Sequence, residues 1–361
     1  MKDDPELQAL MAQANKNEKL LFWASDIYRP DWRYTSGWLG LDWALKGGFA
    51  PNQWSEIIGM ESVAKTGIVN HIVAANQAVD ENFVVAWVAA EEFVADYAEM
   101  CGVDLSRVLL IDTNVMEEAY SNVYEVLDKR AVDCVVIDSY PALIPLTEDE
   151  KEFEDWQVGL GARITGKATR KFRKATRRSL EDSEDRPVFG IMINQFREKV
   201  GGFSPVPGQT PKTTPGGLAK NFFFSARIQL SRDDWITEGK TKVGQTIQAL
   251  VLKNKYGPAQ RRANVDFYFD DAGDFPAGSL DTTKDVVSTA IASGVIARKG
   301  AYYHFGGHRW QGQERVFAAL AEDGELLAEV WTAVADGAVP AVEEAPPEEE
   351  PKPRRTRKRK K

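Results

Sequence analysis

The chain has 361 residues, of which 43% are apolar, and a formal net charge of −9. This length fits one large domain and a smaller one, and no apolar run reaches the roughly 18 residues of a membrane span, so no membrane partner is expected. Both cysteines, Cys101 and Cys134, lie in apolar runs, which excludes a disulfide framework and predicts buried thiols in a reducing, cytoplasmic setting.

The first 34 residues predict a short N-terminal arm. Residues 5–19 have the pattern of a polar amphipathic helix, and Leu20–Ser25 has that of a strand. The acidic, helix-like start of the chain is not that of a secretory signal. Because the arm has little of its own chain to pack against, we expect it to pack on a neighbouring subunit.

Residues 35–272 alternate apolar, strand-like runs with helical stretches. Several runs are apolar throughout, which is typical of a mainly parallel sheet covered by helices on both faces. The predicted strands are Trp54–Ile58, Val84–Ala89, Val108–Asp112, Asp133–Asp138, Val188–Asn194, Phe222–Leu230, Ile247–Lys253 and Val265–Phe269. We therefore expect an α/β core domain.

Residues 273–336 predict a small C-terminal α/β domain, entered through a linker at Asp270–Leu280. Gly306 and Gly307 separate two short apolar runs, which is the signal of a hairpin. The predicted helices are Thr282–Ser293, Gln313–Leu320 and Gly324–Ala335.

Residues 337–361 predict a disordered tail, acidic and proline-rich at first, with eight basic residues among its last ten. Its basic end is either a solubilising tail or a non-specific DNA tether.

Residues 59–66 are one substitution away from the phosphate-binding pattern G-x-x-x-x-G-K-[ST], with a strand before them and a helix over residues 67–76 after them. Backbone N–H groups and a helix N-terminus form an anion cradle, to which Lys65 adds a charge and Thr66 a Mg²⁺ ligand. The predicted loop residues are Gly59, Met60, Glu61, Ser62, Val63, Ala64, Lys65, Thr66 and Gly67. The alternative is a chance turn of these residue types.

Ala64 is the departure from the pattern, because glycine usually stands there. A Cβ at this position is unfavourable if the backbone needs a positive φ or approaches a phosphate closely. The sequence therefore predicts nucleotide binding and leaves the rate of hydrolysis open.

Three further predicted strands end on polar side chains. Asp138 ends one of them, where a carboxylate at the carboxyl edge of a parallel sheet can hold Mg²⁺. Glu91 and Glu92 follow another, and we prefer Glu91 as the group that polarises the attacking water. Gln195 follows Asn194 at the third, where an amide can respond to a γ-phosphate. A loop-capping aspartate, a glutamate at a helix start and ordinary strand-end amides are the alternatives.

Residues 163–178 contain eight basic residues and no acid. Their basic side chains recur at steps of three and four, which places them on one helical face. Such a stripe can neutralise the phosphates of a nucleic-acid strand, or it can be a solvated basic face. The stripe comprises Arg163, Lys167, Arg170, Lys174 and Arg177. The long Gly/Pro/Thr-rich loop at 196–217 begins directly after Gln195, so a ligand bound there would be coupled to the nucleotide.

In this order the motifs resemble those of the RecA family of homologous-recombination ATPases, over about residues 35–335. The matching stretches are Thr35–Leu45, Glu56–Thr66, Val132–Ser139, Ile193–Gln195, Thr213–Gly217, Phe222–Arg227 and Leu252–Lys255. The resemblance implies an α/β fold with a RecA-type P-loop ATPase core, a mainly parallel sheet, a short N-terminal arm and a small C-terminal α/β domain.

The resemblance assigns nucleotide roles to these residues. Lys65 and Thr66 would contact phosphate and Mg²⁺, Asp138 would be the acid on the metal side, Glu91 the base and Gln195 the γ-phosphate switch. Lysines from the adjacent subunit would complete the site, as arginine fingers do in related ATPases. The residues that it implies for this completion and for packing on adenine are Lys253, Lys255, Tyr97 and Phe269.

It also assigns DNA-binding roles. Two arginines would contact the DNA backbone, two valines would separate groups of stacked bases, and two glycines would present backbone amides to phosphate. These residues are Arg163, Arg170, Val158, Val200, Gly216 and Gly217.

The implied protein is an ATP- and Mg²⁺-dependent DNA recombinase. It would form helical filaments on single-stranded DNA and pair them with homologous duplex DNA. The substitution at Ala64, extra Pro and Gly around 204–211 and the basic tail indicate a divergent member, by analogy a phage-encoded one. The alternatives are a RecA-like filament or mediator protein with impaired hydrolysis, and a ring-forming RecA-fold DNA motor.

Overall fold

The structure is a computed structural model of the chain, which describes residues 2, 4–16, 21–26, 30–149, 159–177, 186–198, 212–217 and 219–337. Val158, Val200 and the tail beyond residue 337 lie outside the described residues. In the part of the chain that the structure describes, no helix is long and apolar enough to cross a membrane.

The helices follow the predicted order. They are α1 (Pro5–Ala14), α2 (Leu39–Leu45), α3 (Lys65–Val79), α4 (Ala95–Met100), α5 (Met116–Asp128), α6 (Leu146–Asp149), α7 (Leu160–Arg177), α8 (Ala219–Phe223), α9 (Thr282–Ser293), α10 (Gln313–Glu322) and α11 (Gly324–Ala335).

Within the described ranges, the strands form three sheets. They are β1 (Trp54–Gly59), β2 (Val85–Ala89), β3 (Val108–Asp112), β4 (Cys134–Asp138), β5 (Phe189–Gln195), β6 (Arg197–Glu198), β7 (Lys212–Thr213), β8 (Ala226–Glu238), β9 (Thr241–Asn254), β10 (Arg262–Tyr268), β11 (Ala297–Lys299), β12 (Tyr302–Phe305) and β13 (His308–Gln311). The largest sheet has the order β10-β9-β8-β1-β5-β4-β2-β3. Its strands from β8 to β3 are parallel, and β9 and β10 continue it antiparallel. The predicted mainly parallel α/β core is confirmed.

The sheet is covered on both faces, as its apolar strands predict. Along β1, Ile57 faces a core that includes Ile68 and Ile72 of α3. Trp54 faces the opposite core and stacks on Phe172 of α7 with ring centroids 5.2 Å apart. This alternation follows from the two-residue period of a strand.

The register of the parallel strands brings the predicted polar strand ends to one edge. Gly59 of β1 lies opposite Gln195 of β5, and Ala89 of β2 lies opposite Asp138 of β4. Because carboxyl ends of parallel strands share an edge, Glu91, two residues after β2, reaches the same place.

Two local predictions are wrong. The described residues of Leu20–Ser25 form no strand, and Ala24–Asp26 is a 3₁₀ turn. The backbone of Leu21 bonds to the Asn15 side chain instead of to a neighbouring strand: its N–H donates to Oδ1 at 2.7 Å and its carbonyl accepts from Nδ2 at 2.6 Å. The run Phe222–Leu230 begins as the end of α8, and β8 starts only at Ala226. A short buried apolar run does not distinguish helix from strand by periodicity.

Residues from Ala290 onward form a second compact unit. Strands β11, β12 and β13 make an antiparallel sheet with the predicted hairpin at Gly306–Gly307. Helices α10 and α11 follow, with Val316 and Val330 fully buried.

Candidate functional site

The loop between β1 and α3 has the conformation of an anion cradle. Ser62 and Ala64 have positive φ values of 58° and 52°, so the backbone turns sharply before α3 begins at Lys65. Ala64 is the N-cap, and no side chain caps the N–H groups of the first turn. These N–H groups and the positive end of the helix dipole are therefore available to a phosphate. The predicted conflict at Ala64 is real, since this alanine adopts the left-handed conformation that favours glycine.

The side chain of Lys65, the first residue of α3, lies against this loop. Its ammonium donates a hydrogen bond to the carbonyl of Met60 at 2.7 Å, so the side chain folds back over the cradle. Burial lowers the pKa of Lys65, whereas the nearby carboxylates of Asp138 and Glu91 raise it. A phosphate bound in the cradle would add a further negative charge beside this cation and so favour its charged form.

Thr66 and Asp138 meet across the loop. The Thr66 hydroxyl donates to Asp138 Oδ2 at 2.9 Å. Burial raises the pKa of Asp138 to about 6, and the Thr66 hydrogen bond opposes the shift. A hydroxyl and a carboxylate oxygen side by side next to a phosphate cradle fit Mg²⁺, which is bound by one or two protein oxygens together with phosphates and water.

Glu91 is held beside Asp138. The Ser139 hydroxyl donates to Glu91 Oε1 at 2.5 Å, and the N–H groups of Ala90 and Glu91 donate to the Asp138 carbonyl at 3.0 and 3.3 Å. Glu91 is an exposed residue on the wall of a cavity, so a water molecule can approach it. Among the two glutamates after β2, Glu91 therefore has a fixed orientation toward the phosphate loop.

A cavity of about 220 Å³ opens at this point, and Thr66, Glu91, Tyr97 and Asp138 all contribute to its wall. Gly67 explains how Tyr97 approaches, because a Cβ on Gly67 would lie 2.4 Å from the Tyr97 hydroxyl. Four separate predictions thus come together around one cavity.

Phe269, the second residue expected on adenine, lies just after β10. Its ring meets Trp235 edge-on, with centroids 6.2 Å apart. Phe267, two residues earlier, lies beside Gly67 together with Tyr97: a Cβ on Gly67 would lie 3.0 Å from the Phe267 ring. The two-residue period of a strand puts residues 267 and 269 on the same face. The sequence therefore indicated the correct face of this strand, but it did not distinguish Phe267 from Phe269.

The γ-phosphate switch candidate, Gln195, ends β5 opposite Gly59. Its N–H donates to Asn194 Oδ1 at 2.9 Å, and Asn194 Nδ2 in turn donates to Glu56 Oε1 at 2.7 Å and to the Pro215 carbonyl at 3.3 Å. Asn194 therefore links the switch position to the last residues of the long loop.

Sequence reasoning missed the charged cluster around Glu56. This carboxylate in the middle of β1 is fully buried and accepts hydrogen bonds from Lys220 Nζ at 2.5 Å and Arg227 Nε at 2.6 Å. An acid inside the otherwise apolar run Trp54–Ile58 was the available signal, because a buried charge requires a partner. Its partners lie more than 160 residues away in the chain, and no local pattern names them.

The lysine pair lies at the end of β9. Lys253 Nζ donates to the carbonyls of Asn221 and Phe224 at 2.6 and 2.7 Å, so it is bound to the end of α8 in its own chain. Burial lowers the pKa of Lys253, and its cationic neighbours, Lys255 first among them, lower it further. Lys255 is exposed.

The basic stripe forms one exposed face of α7. Arg163, Lys167, Arg170 and Lys174 are exposed, and the opposite face is buried through Ala168, Phe172 and Ala175. The long loop returns beside the start of this helix, since a Cβ on Gly217 would lie 3.5 Å from Ala162. Gly216 and Gly217 have φ values of 98° and 71°, which only glycine adopts readily.

The comparisons with known proteins agree with this geometry. The family model of the RecA N-terminal domain matches residues 31–273. Protein RecA of Thermus aquaticus is 37% identical over 307 residues, which cover 84% of this chain and 84% of that protein. Protein RecA of Lactiplantibacillus pentosus is 33% identical over 84% of this chain and 75% of its own length, and that of Aquifex pyrophilus is 33% identical over 82% and 80%. The chain belongs to the RecA family of recombination ATPases.

Proposed function

We propose that this RecA-family recombinase is a DNA-dependent ATPase, acting in the cytoplasm, that polymerises on single-stranded DNA and pairs it with a homologous duplex. The observation that carries the proposal is the Thr66–Asp138 hydrogen bond of 2.9 Å, at the open N-terminus of α3 and beside Glu91. A phosphate cradle, two hard oxygen ligands and an oriented carboxylate together suit phosphoryl transfer to water.

In this proposal, each residue of the site has a role in ATP hydrolysis. The N–H groups of the first turn of α3 and the Lys65 ammonium bind the phosphates. Thr66 and Asp138 would hold Mg²⁺, which would supply positive charge to the bound phosphates. Glu91, oriented by Ser139, accepts the proton of the attacking water. Tyr97 and Phe269 pack on the base, and Gln195 responds to the loss of the γ-phosphate.

DNA binds on the side of α7 and the long loop. Arg163 and Arg170 contact backbone phosphates, and Gly216 and Gly217 present amides. Val158 and Val200 belong to the same proposal as wedges between groups of bases. Sequence is read by base pairing, while the protein holds the backbone.

Polymerisation uses the arm and the lysine pair. Strand β3 is an edge of the large sheet and leaves Leu109 and Leu110 47% and 44% exposed, beside a groove of about 400 Å³. An apolar edge strand is a template for an added strand, and the arm residues 21–26 of a second copy suit it. Lys253 and Lys255 then reach the ATP of the adjacent copy.

The test combines hydrolysis and imaging. Steady-state ATPase is measured with and without single-stranded DNA, and the chain is imaged on that DNA with a slowly hydrolysed ATP analogue. We expect DNA-stimulated turnover, helical filaments and strand exchange. Hexameric rings would favour the DNA-motor alternative, and a chain that stays monomeric and ignores ATP would refute the proposal.

A second candidate function has one observation in its favour. The positive φ of Ala64, 52°, is unfavourable for a residue with a Cβ. A filament or mediator protein that binds ATP and turns it over poorly would tolerate this strain. It predicts filaments with little hydrolysis.

A further inference from the structure

A buried charge cluster connects the phosphate loop with the long loop, and nothing in the hydrolysis scheme uses it. Its central groups, Glu56, Asn194 and Lys220, are 0%, 0% and 1% exposed. Glu56 lies on β1, three residues before Gly59, and Asn194 lies on β5 next to Gln195. The cluster thus lies directly behind the two strand ends that face the γ-phosphate position.

Lys220 is the charged member that contacts the loop, in addition to the Asn194 amide. Its ammonium donates to Glu56 Oε1 at 2.5 Å and to the Thr214 hydroxyl at 2.8 Å. The aliphatic part of the same side chain lies under Gly216, where an added Cβ would come within 2.7 Å of Lys220 Cδ. Hydrogen bond and packing together hold residues 214–216 against β1.

The charges in the cluster do not require Lys220 for neutrality. Glu56 carries one negative charge and already has a second cation, Arg227, on Oε2 at 2.6 Å. Removing one partner of a buried ion pair is costly when it leaves the other charge uncompensated, and here Glu56 would keep Arg227 and the Asn194 amide. A role in stability alone therefore does not account for the second cation.

We propose that Lys220 is a positioning residue for the DNA-binding loop: with Glu56 it fixes Thr214–Gly216 to the strands that carry Gly59 and Gln195. The inference rests on the proposed function, because it deepens the link between nucleotide and DNA. A shift of Gln195 is transmitted through Asn194 to Glu56 and to the Pro215 carbonyl, and Lys220 converts that shift into movement of the glycines.

The deciding variant is Thr214→Val, which removes the hydroxyl on the loop side and keeps the Glu56–Lys220 pair. We expect amide hydrogen exchange of residues 212–217 in the nucleotide-free chain to rise about tenfold, the factor for one charge-assisted hydrogen bond. Lys220→Met should have the same effect, with Glu56 still paired to Arg227. Thr213→Val, at the exposed neighbouring threonine, is the matched control and should leave exchange unchanged.

The functional arm of the test measures coupling. In Thr214→Val we expect the DNA concentration for half-maximal ATPase to rise about tenfold, while binding of a fluorescent ATP analogue without DNA changes less than about twofold. Unchanged exchange at 212–217, or faster exchange with wild-type DNA stimulation, would overturn the inference. Because the exchange readout needs neither ATP nor DNA, a wild-type chain without DNA-stimulated turnover would refute the proposed function separately. If Lys220→Met does not fold, Thr214→Val alone decides.

Discussion

The two ends of the candidate site are built in different ways. At the phosphate end, Lys65, Thr66 and Asp138 are held by hydrogen bonds within the chain, and the loop backbone already has its turned conformation. At the proposed DNA end, the basic side chains of α7 are exposed, and Gly216 and Gly217 are positioned by a few contacts. Under the proposed function, a nucleotide would meet a preorganised site, whereas the DNA site would depend on what positions the loop.

This difference has an energetic reason. A phosphate bound by backbone N–H groups and a helix dipole is stabilised by groups that fold with the core. Arginines and lysines on a helix surface bind phosphate mainly through release of counterions, which requires charge but little fixed geometry. The basic face of α7 therefore needs less precise placement than the phosphate site or the glycines of the loop.

The largest expected effect comes from the phosphate end. Glu91→Gln removes the proton acceptor and keeps the size of the side chain and a carbonyl oxygen for Ser139. We expect turnover to fall by roughly 10²–10⁴-fold, the usual contribution of general-base catalysis, with ATP affinity retained. Single-turnover hydrolysis and equilibrium binding measure the two separately.

Glu92→Gln is the matched control, since Glu92 is adjacent and lines the same cavity. Its turnover should stay within a few-fold of the wild type. A collapse of turnover in Glu92→Gln with near-normal Glu91→Gln would reverse the assignment of the base.

The next effect tests the DNA end. Arg163→Ala combined with Arg170→Ala removes two phosphate contacts, so the slope of log affinity against log salt should become shallower by about 1.4, or about 0.7 per contact on single strands. ATP binding without DNA should not change. Fluorescence anisotropy of a labelled oligonucleotide over a salt series measures the slope.

Arg173→Ala is the internal control on the same helix. The Arg173 guanidinium donates to the carbonyls of Phe222 and Phe223 at 2.8 and 3.1 Å. Its loss should lower the Tm and leave the salt slope unaltered. Equal slopes for all these variants would mean that the α7 face is an ordinary solvated surface.

The same contrast explains what sequence reasoning could reach. The phosphate end follows from short motifs, because a strand end, a turn and a helix start are local features of the sequence. The parallel register then brings the ends of different strands to one edge of the sheet. The place of Asp138 and Glu91 beside the phosphate loop was predictable in this way. Most strands and the mainly parallel character of the sheet followed from apolar runs. The Glu56 carboxylate within a mostly apolar run signalled a buried partner, but Lys220 lies 164 positions away, so no local pattern named it. The helical conformation of Phe222 and Phe223, at the end of α8, depends on packing and had no local signal.

Ala64 is the one residue of the phosphate loop whose type conflicts with the glycine of the motif. The variant Ala64→Gly measures the cost of that conflict. Relief of the left-handed strain, about 1 kcal/mol, is offset by the greater freedom of glycine in the unfolded chain. We expect stability to change by less than about 1 kcal/mol and turnover to rise. Ala78→Gly, on the exposed face of α3, is the control and should destabilise by about 1 kcal/mol. Unchanged turnover in Ala64→Gly would argue against impaired hydrolysis as the reason for this residue.

The smallest expected effect concerns a buried carboxyl group, Asp285, outside the candidate site. It separates the pH dependence of stability from the pH dependence of activity at the phosphate end. Asp285 accepts hydrogen bonds from the Gly40 N–H at 3.0 Å and the Thr289 hydroxyl at 3.1 Å, away from both ends of the site. Burial raises its pKa from 3.8 to about 7. The folded chain therefore holds a proton that the unfolded chain has lost, and this group makes stability fall as pH rises from about 4 to about 7.

Asp285→Asn should remove that contribution, because an amide keeps an acceptor oxygen and does not titrate. The Tm difference between pH 5.5 and pH 7.5 should shrink by about 2–4 °C, as for a change of about 2 kcal/mol in a chain of this size. Asp104→Asn is the control: the Ser106 and Arg107 partners lower the pKa of Asp104, so it is ionised in both states across this window. If both variants keep the wild-type Tm difference, the pH dependence of stability does not arise from Asp285. A change of activity between pH 5.5 and 7.5 would then be attributed to groups at the phosphate end.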